Sequence, residues 1–153
     1  MQEDVCIGCG LCRVYCQTEH SRSKNIIKAF NRETPRPLPR IRVERKGEVC
    51  FAVQCRHCAE PWCIYSCLTG AMHRDSTTGT VGIDPEKCIG CWTCMIACPY
   101  GALAQDTSNK VITKCDFCPE HDIPVCVANC PNEALILTED EVFSTSPRLV
   151  GAK

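Results

Sequence analysis

The chain has 153 residues and a formal net charge of −1, with 17 cysteines and only 6% aromatic residues. That length holds one compact domain or two very small ones, and the cysteine content has to be explained first. A disulfide scaffold expects an even count and a secretory leader, whereas residues 1–5 (Met-Gln-Glu-Asp-Val) offer neither a basic start nor an apolar run.

No apolar stretch approaches the roughly 18 residues of a membrane span, so the expectation is a cytoplasmic chain with reduced thiols. Ten prolines and nine glycines interrupt the sequence, and large apolar side chains are sparse. Such a chain buries too little apolar surface to offset its conformational entropy alone. Bound metal is expected to serve as the core, and the apo form to fold poorly.

In chain order, the first feature is a cysteine quartet, Cys6, Cys9, Cys12 and Cys16. Residues 20–46 follow with nine Lys or Arg against Glu33 and Glu44. Pro35, Pro37 and Pro39 make this stretch an extended connector, and it lacks the interleaved aromatics of a nucleic-acid patch, so a solvated or partner-facing loop is expected and no nucleic acid. Ile41-Arg-Val-Glu and Phe51-Ala-Val-Gln, separated by a turn containing Gly47, read as a hairpin. Beside Phe51, Cys50 reads as a small buried apolar residue.

A second quartet, Cys55, Cys58, Cys63 and Cys67, precedes the hairpin pattern Gly70-Ala-Met-His and Thr80-Val-Gly-Ile. The third quartet, Cys88, Cys91, Cys94 and Cys98, ends in a short helical stretch, Thr93 to Ala97, stopped by Pro99. Ala102-Leu-Ala-Gln and Lys110-Val-Ile-Thr give a third hairpin. The fourth quartet, Cys115, Cys118, Cys126 and Cys130, carries a helical stretch from Val125 to Asn129 before Pro131. Ala134-Leu-Ile-Leu then reads as one more short apolar segment, and residues 138–153 as a tail or docking arm. Strand pairs alternating with very short helices predict a small α+β fold, repeated.

Each quartet opens with Cys-x-x-Cys and ends with a cysteine four residues after the third. Structural zinc also takes four thiolates, but usually from two separated knuckles around one ion. In the first and third quartets three cysteines stand at three-residue intervals, and a fourth follows one helical turn later. Such a loop wraps a bulky cluster, while its last cysteine serves the other cluster of a pair, as in bacterial ferredoxins. Four quartets supply ligands for four 4Fe-4S clusters. Gly8 and Gly90, each just before the second cysteine of its run, allow the backbone torsions and close approach that such a loop needs. His20, His57, His73 and His121 read as polar residues at the surface or beside the ligands, and Trp62 and Trp92 as shields against water. No catalytic residue is assigned: there is no nucleotide loop and no nucleophile with a base.

Cys6-Ile-Gly-Cys, Gln54-Cys-Arg-His-Cys-Ala-Glu-Pro-Trp-Cys, Cys88-Ile-Gly-Cys through Cys98-Pro-Tyr-Gly-Ala, and Lys114-Cys-Asp-Phe-Cys through Cys130-Pro resemble the sixteen-cysteine electron-transfer subunits. That family includes the iron-sulfur subunits of dimethyl sulfoxide reductase and formate dehydrogenase and the ferredoxin-like partner of carbon monoxide dehydrogenase. The likeness spans roughly residues 4–138. Spacing alone leaves the pairing of quartets open. The resemblance implies two ferredoxin-like 2×(4Fe-4S) modules, an inner one at 49–105 inserted into an outer one at 1–48 plus 106–153.

It also implies the ligand sets. Cys6, Cys9, Cys12 and Cys130 would hold cluster one, and Cys16, Cys115, Cys118 and Cys126 cluster two. Cys55, Cys58, Cys63 and Cys98 would hold cluster three, and Cys67, Cys88, Cys91 and Cys94 cluster four. Gln17 and Leu68 stand where the other two quartets have proline, which bears on local shielding and not on ligation. Some relatives carry tryptophan as the third cysteine of the third run and hold a three-iron cluster; here Cys94 is retained and Trp92 only precedes it. The implied function is a relay of single electrons, typical of anaerobic metabolism, between a catalytic oxidoreductase subunit and a second redox partner. Candidate partners are carbon monoxide dehydrogenase, formate dehydrogenase or hydrogenase, a molybdenum or tungsten enzyme, or an NAD(P)-linked flavoprotein. A standalone ferredoxin shuttle and a structural metal scaffold are the alternatives.

Overall fold

The prolines, glycines and cysteine runs leave only short stretches free to form regular structure, and the computed structural model, which describes residues 1–137, consists of short elements. The helices are α1 (Leu11–Glu19), α2 (Ile26–Asn31), α3 (Trp62–Tyr65), α4 (Thr93–Ala97) and α5 (Val125–Ala128). The strands are β1 (Ile41–Lys46), β2 (Val49–Gln54), β3 (Met72–Arg74), β4 (Val81–Ile83), β5 (Ala104–Asp106) and β6 (Val111–Thr113). They pair as three antiparallel hairpins, β1 with β2, β3 with β4 and β5 with β6.

Local chemistry accounts for the turns. Lys46 pairs with Val49 across a two-residue turn, where Gly47 takes a φ of 62°. In the other two hairpins an aspartate closes the turn: the Asp75 carboxylate accepts from the Thr77 and Thr78 amides, and Asp106 from those of Ser108 and Asn109. Helix α4 halts at Cys98, whose backbone is already extended before Pro99.

One expectation is corrected. The basic stretch is not extended throughout, because Asn25 caps α2 by accepting the Lys28 amide at 3.1 Å. Its cations also pair with acids: Lys24, still exposed, with Glu19 and Glu120, and the half-buried Arg40 with Asp116. Ala134 to Leu137 forms no strand; the Ala134 carbonyl accepts the Gln2 amide at 2.8 Å, and Leu135 is buried. The expected tail at 138–153 lies outside the described residues.

Burial divides between two small cores. The first gathers Cys12, Cys16, Ile41, Cys126 and Leu135, with Val43, Ala52, Val127 and Cys130 against it. The second gathers Met72, Val81, Cys94, Leu103 and Ile112, with Cys63, Cys67, Trp92 and Cys98 against it. Helix α1 packs on α5, and α3 on α4. Val43 of β1 and Ala52 of β2 share the first core, while Leu103 and Ile112, flanking and within β5–β6, share the second.

Candidate metal centres

The four cysteine runs share one backbone device. The residue before the second cysteine has a left-handed conformation in each: Gly8 (φ 66°), His57 (47°), Gly90 (65°) and Phe117 (63°). That turn folds each Cys-x-x-Cys back on itself. At Gly8 a β-carbon would lie 2.7 Å from the Cys50 sulfur, and at Gly90 2.6 Å from the Lys110 carbonyl oxygen, so both loops need glycine for space as well as torsion. Cys50, 2% exposed, therefore backs the first loop. After the second cysteine, Gly10 and Trp92 are both left-handed and open α1 and α4.

Seventeen free thiols are present, and sixteen belong to the runs. Burial pushes the Cys12 thiol up to about 11, and the thiols of Cys9, Cys130 and Cys6 push it the same way. Burial also raises Cys126, with Cys115, Cys16, Cys118 and Cys12 adding to the rise. Cys63 is raised to about 11 by burial and by its neighbours Cys55 and Cys98, and Cys58 acts likewise on Cys55. Cys94 rises to about 11 through burial, then Cys67, Cys63 and Cys91. Thus residues far apart in the chain, such as Cys12 and Cys130, meet. Cys88 joins no such group in these interactions; its spacing to Cys91 is what associates it with that run.

The donor set suits iron-sulfur clusters. Thiolates are soft ligands, and backbone amides already point at sulfur: Arg40 N donates to Cys16 Sγ (3.2 Å), Met72 N to Cys67 Sγ (3.4 Å) and Ala102 N to Cys98 Sγ (3.5 Å). In these three runs the last cysteine receives such a bond, a contact of the kind that sets cluster potential. Raised thiol pKa values mean that metal binding must release protons.

A different cluster of polar groups flanks Cys16. His20 Nδ1 lies 3.7 Å from Cys16 Sγ and 2.7 Å from its carbonyl, and His20 Nε2 lies 3.2 Å from Asp116 Oδ1. Burial disfavours the Asp116 charge, but the His20 hydrogen bond and the Arg40 guanidinium hold it well below the usual carboxylate range. The same bond, against the cost of burial, raises His20 to about 9.

Of the two places expected for it, at the surface or beside the ligands, His57 takes the second, between Cys55 and Cys58. It is fully buried, stacks on Phe117 at 4.1 Å and accepts the Val81 amide on Nδ1 at 2.9 Å. Burial, then the nearby Lys114 charge, pushes it down to about 3, so it is neutral. The signal was present, because His57 and Phe117 occupy the position that Gly8 and Gly90 hold in the other runs. Trp92 packs against the second core, whereas Trp62 is 60% exposed and edge-on to Tyr65, where it shields little.

A model of the 4Fe-4S dicluster domain matches residues 48–140. The chain belongs to this 4Fe-4S dicluster family. The electron transport protein HydN of Escherichia coli is 36% identical to this dicluster protein over 151 residues, covering 88% of the chain and 83% of HydN. Protein NrfC of Escherichia coli is 33% identical over 144 residues, 87% of the chain and 60% of NrfC. The beta subunit of the NADH-dependent phenylglyoxylate dehydrogenase of Aromatoleum evansii is 33% identical over 134 residues, 85% of the chain but 27% of that subunit. No described helix of the dicluster protein is long and apolar enough to cross a membrane.

Proposed function

We propose that the protein is an electron-transfer subunit that holds four 4Fe-4S clusters in a row and carries single electrons between a catalytic oxidoreductase subunit and a second redox partner. When bound, the clusters supply one-electron carriers whose irons, fully ligated by thiolate, leave no site for substrate. The observation that carries the reading is the grouping of thiols across the chain. Cys12 neighbours Cys6, Cys9 and Cys130; Cys126 neighbours Cys16, Cys115 and Cys118. Cys63 neighbours Cys55 and Cys98, and Cys94 neighbours Cys67 and Cys91. These groups support ligand sets Cys6/9/12/130, Cys16/115/118/126, Cys55/58/63/98 and Cys67/91/94, to which Cys88 is added by its spacing to Cys91.

Three further electrostatic couplings support an order: Cys12 acts on Cys126 of the second set, Cys55 of the third set on Cys115, and Cys63 on Cys94 of the fourth. The two exposed cysteines, Cys9 and Cys91, then belong to the two ends of the row, where electrons enter and leave. The two cores support an outer module of about 1–54 plus 114–137 and an inner module of about 55–113. Electron transport is the named role of HydN, and one relative is by name a dehydrogenase subunit, which supports a catalytic partner at one end.

The test is anaerobic purification with iron and sulfide analysis, a reductive titration followed by electron paramagnetic resonance, and identification of co-purifying chains. About 16 irons per chain are expected, four per set, with signals from interacting clusters. A colourless, redox-silent protein would overturn the relay.

A further inference from the structure

Lys114 follows β6 and is 4% exposed, in a chain whose cores are small. Its Nζ donates to the Val81 carbonyl of β4 and, at 2.8 Å, to the Cys115 carbonyl. The Val81 amide in turn donates to His57 Nδ1, inside the Cys55–Cys58 loop, at 2.9 Å, so one strand residue ties Lys114 to both cysteine loops. Burying that charge is costly unless it is paired, and neither of these two acceptors is a carboxylate. Once metal is bound, the nearest ligand charge would be the Cys115 thiolate, with the Cys55–Cys58 loop on the other side of Val81.

We propose that Lys114 is a potential-setting residue at the junction of the two modules, its buried ammonium favouring the reduced state of the two middle clusters, those of Cys16/115/118/126 and Cys55/58/63/98. The inference rests on the four-cluster reading above. Each transfer moves one electron from one cluster to the next, supplied and withdrawn by the redox partners at the ends, and no bond is made or broken. An arriving electron adds negative charge, which a cation a few ångströms away stabilises in a medium of effective dielectric about 20. The His57–Phe117 stack lies at the same junction.

Lys114→Met, Lys114→Gln and Lys114→Arg are to be compared with the parent protein in redox titrations monitored by paramagnetic resonance. The end clusters are first marked with Cys9→Ser and Cys91→Ser. In the Met and Gln variants the two middle couples should become harder to reduce by on the order of tenfold at fixed potential, about 59 mV for a one-electron couple. The end couples should stay in place, and the Arg variant should keep the parent values. The proposal is overturned if the middle couples do not move, if all four move together, or if Lys114→Arg shifts them as far as Lys114→Met. It is equally overturned if Met and Gln variants cannot hold iron while Arg can, since Lys114 is then a strut for assembly. A parent protein with markedly fewer than about 16 irons would instead sink the four-cluster reading.

Discussion

Gly90→Ala separates what a cysteine loop needs in backbone torsion from what it needs in space. Gly90 has a φ of 65°, and an added β-carbon would stand 2.6 Å from the Lys110 carbonyl oxygen in the turn between β5 and β6. The left-handed conformation costs a non-glycine residue about 1–2 kcal/mol. Forcing a methyl against fixed backbone adds about 1–3 kcal/mol. Gly10 is the internal control: its φ is 74°, yet nothing lies within 4 Å of an added β-carbon. Gly10→Ala should therefore incur only the torsional cost, and Gly90→Ala about 1–3 kcal/mol more. Loss of a cluster on unfolding is irreversible in practice, so the comparison is one of rates. Anaerobic protein in denaturant is followed by its iron-sulfur absorbance. Gly90→Ala should bleach roughly tenfold faster than Gly10→Ala, as about 1.4 kcal/mol requires. Equal rates and equal iron content would refute the steric reasoning.

Three other outcomes follow from the same geometry. Gly8→Ala pushes a β-carbon to 2.7 Å from Cys50 Sγ, so Cys50→Ala in the same chain should recover about 1 kcal/mol of the loss, a coupling measurable by a double-mutant cycle. Cys94→Ser should convert or destroy the cluster of Cys67, Cys88 and Cys91 while the outer pair stays reducible; loss of all four resonance signals in a folded variant would contradict the proposed ligand sets.

Glu33 ties the loop after α1 by accepting from Ser23 Oγ (2.6 Å) and the Ser23 and Arg22 amides. The Ser23 hydrogen bond is the main cause that holds its carboxyl below the ordinary 4.5. A depressed pKa means the tie is complete above the unfolded value and is lost as pH falls through the folded one. Between pH 5 and 8 tryptic cleavage after Arg22 and Lys24 should follow only the pH dependence of trypsin, whereas Glu33→Gln, which mimics the neutral acid, should be cut faster at pH 7.

Much of this protein is local, and what is local was legible. A cysteine run depends on residues within about ten positions, so the four quartets, the need for glycine at Gly8 and Gly90, and the helical stretch ended by Pro99 could be read directly. The β3–β4 and β5–β6 hairpins were equally open to reading, since Asp75 and Asp106 satisfy their turn amides from within the turn. Helix α2 was not, because three prolines downstream dominated the pattern while a single side chain, Asn25, was enough to start it.

Tertiary structure alone decided which thiols are neighbours. Cys12 meets Cys130 because α1 packs on α5 across more than a hundred residues, and no periodicity within either run encodes that partner. The same holds at the junction. His57, Phe117 and Lys114 look like a polar residue, an aromatic and a surface cation in sequence. They become a stack with one buried partner, His57, and a buried charge because β4 brings Val81 against two cysteine loops at once. Sequence specified the ligands and their loops, since torsion and spacing are properties of adjacent residues. Only folding specified the burial and charge around them, since those depend on what arrives from elsewhere in the chain.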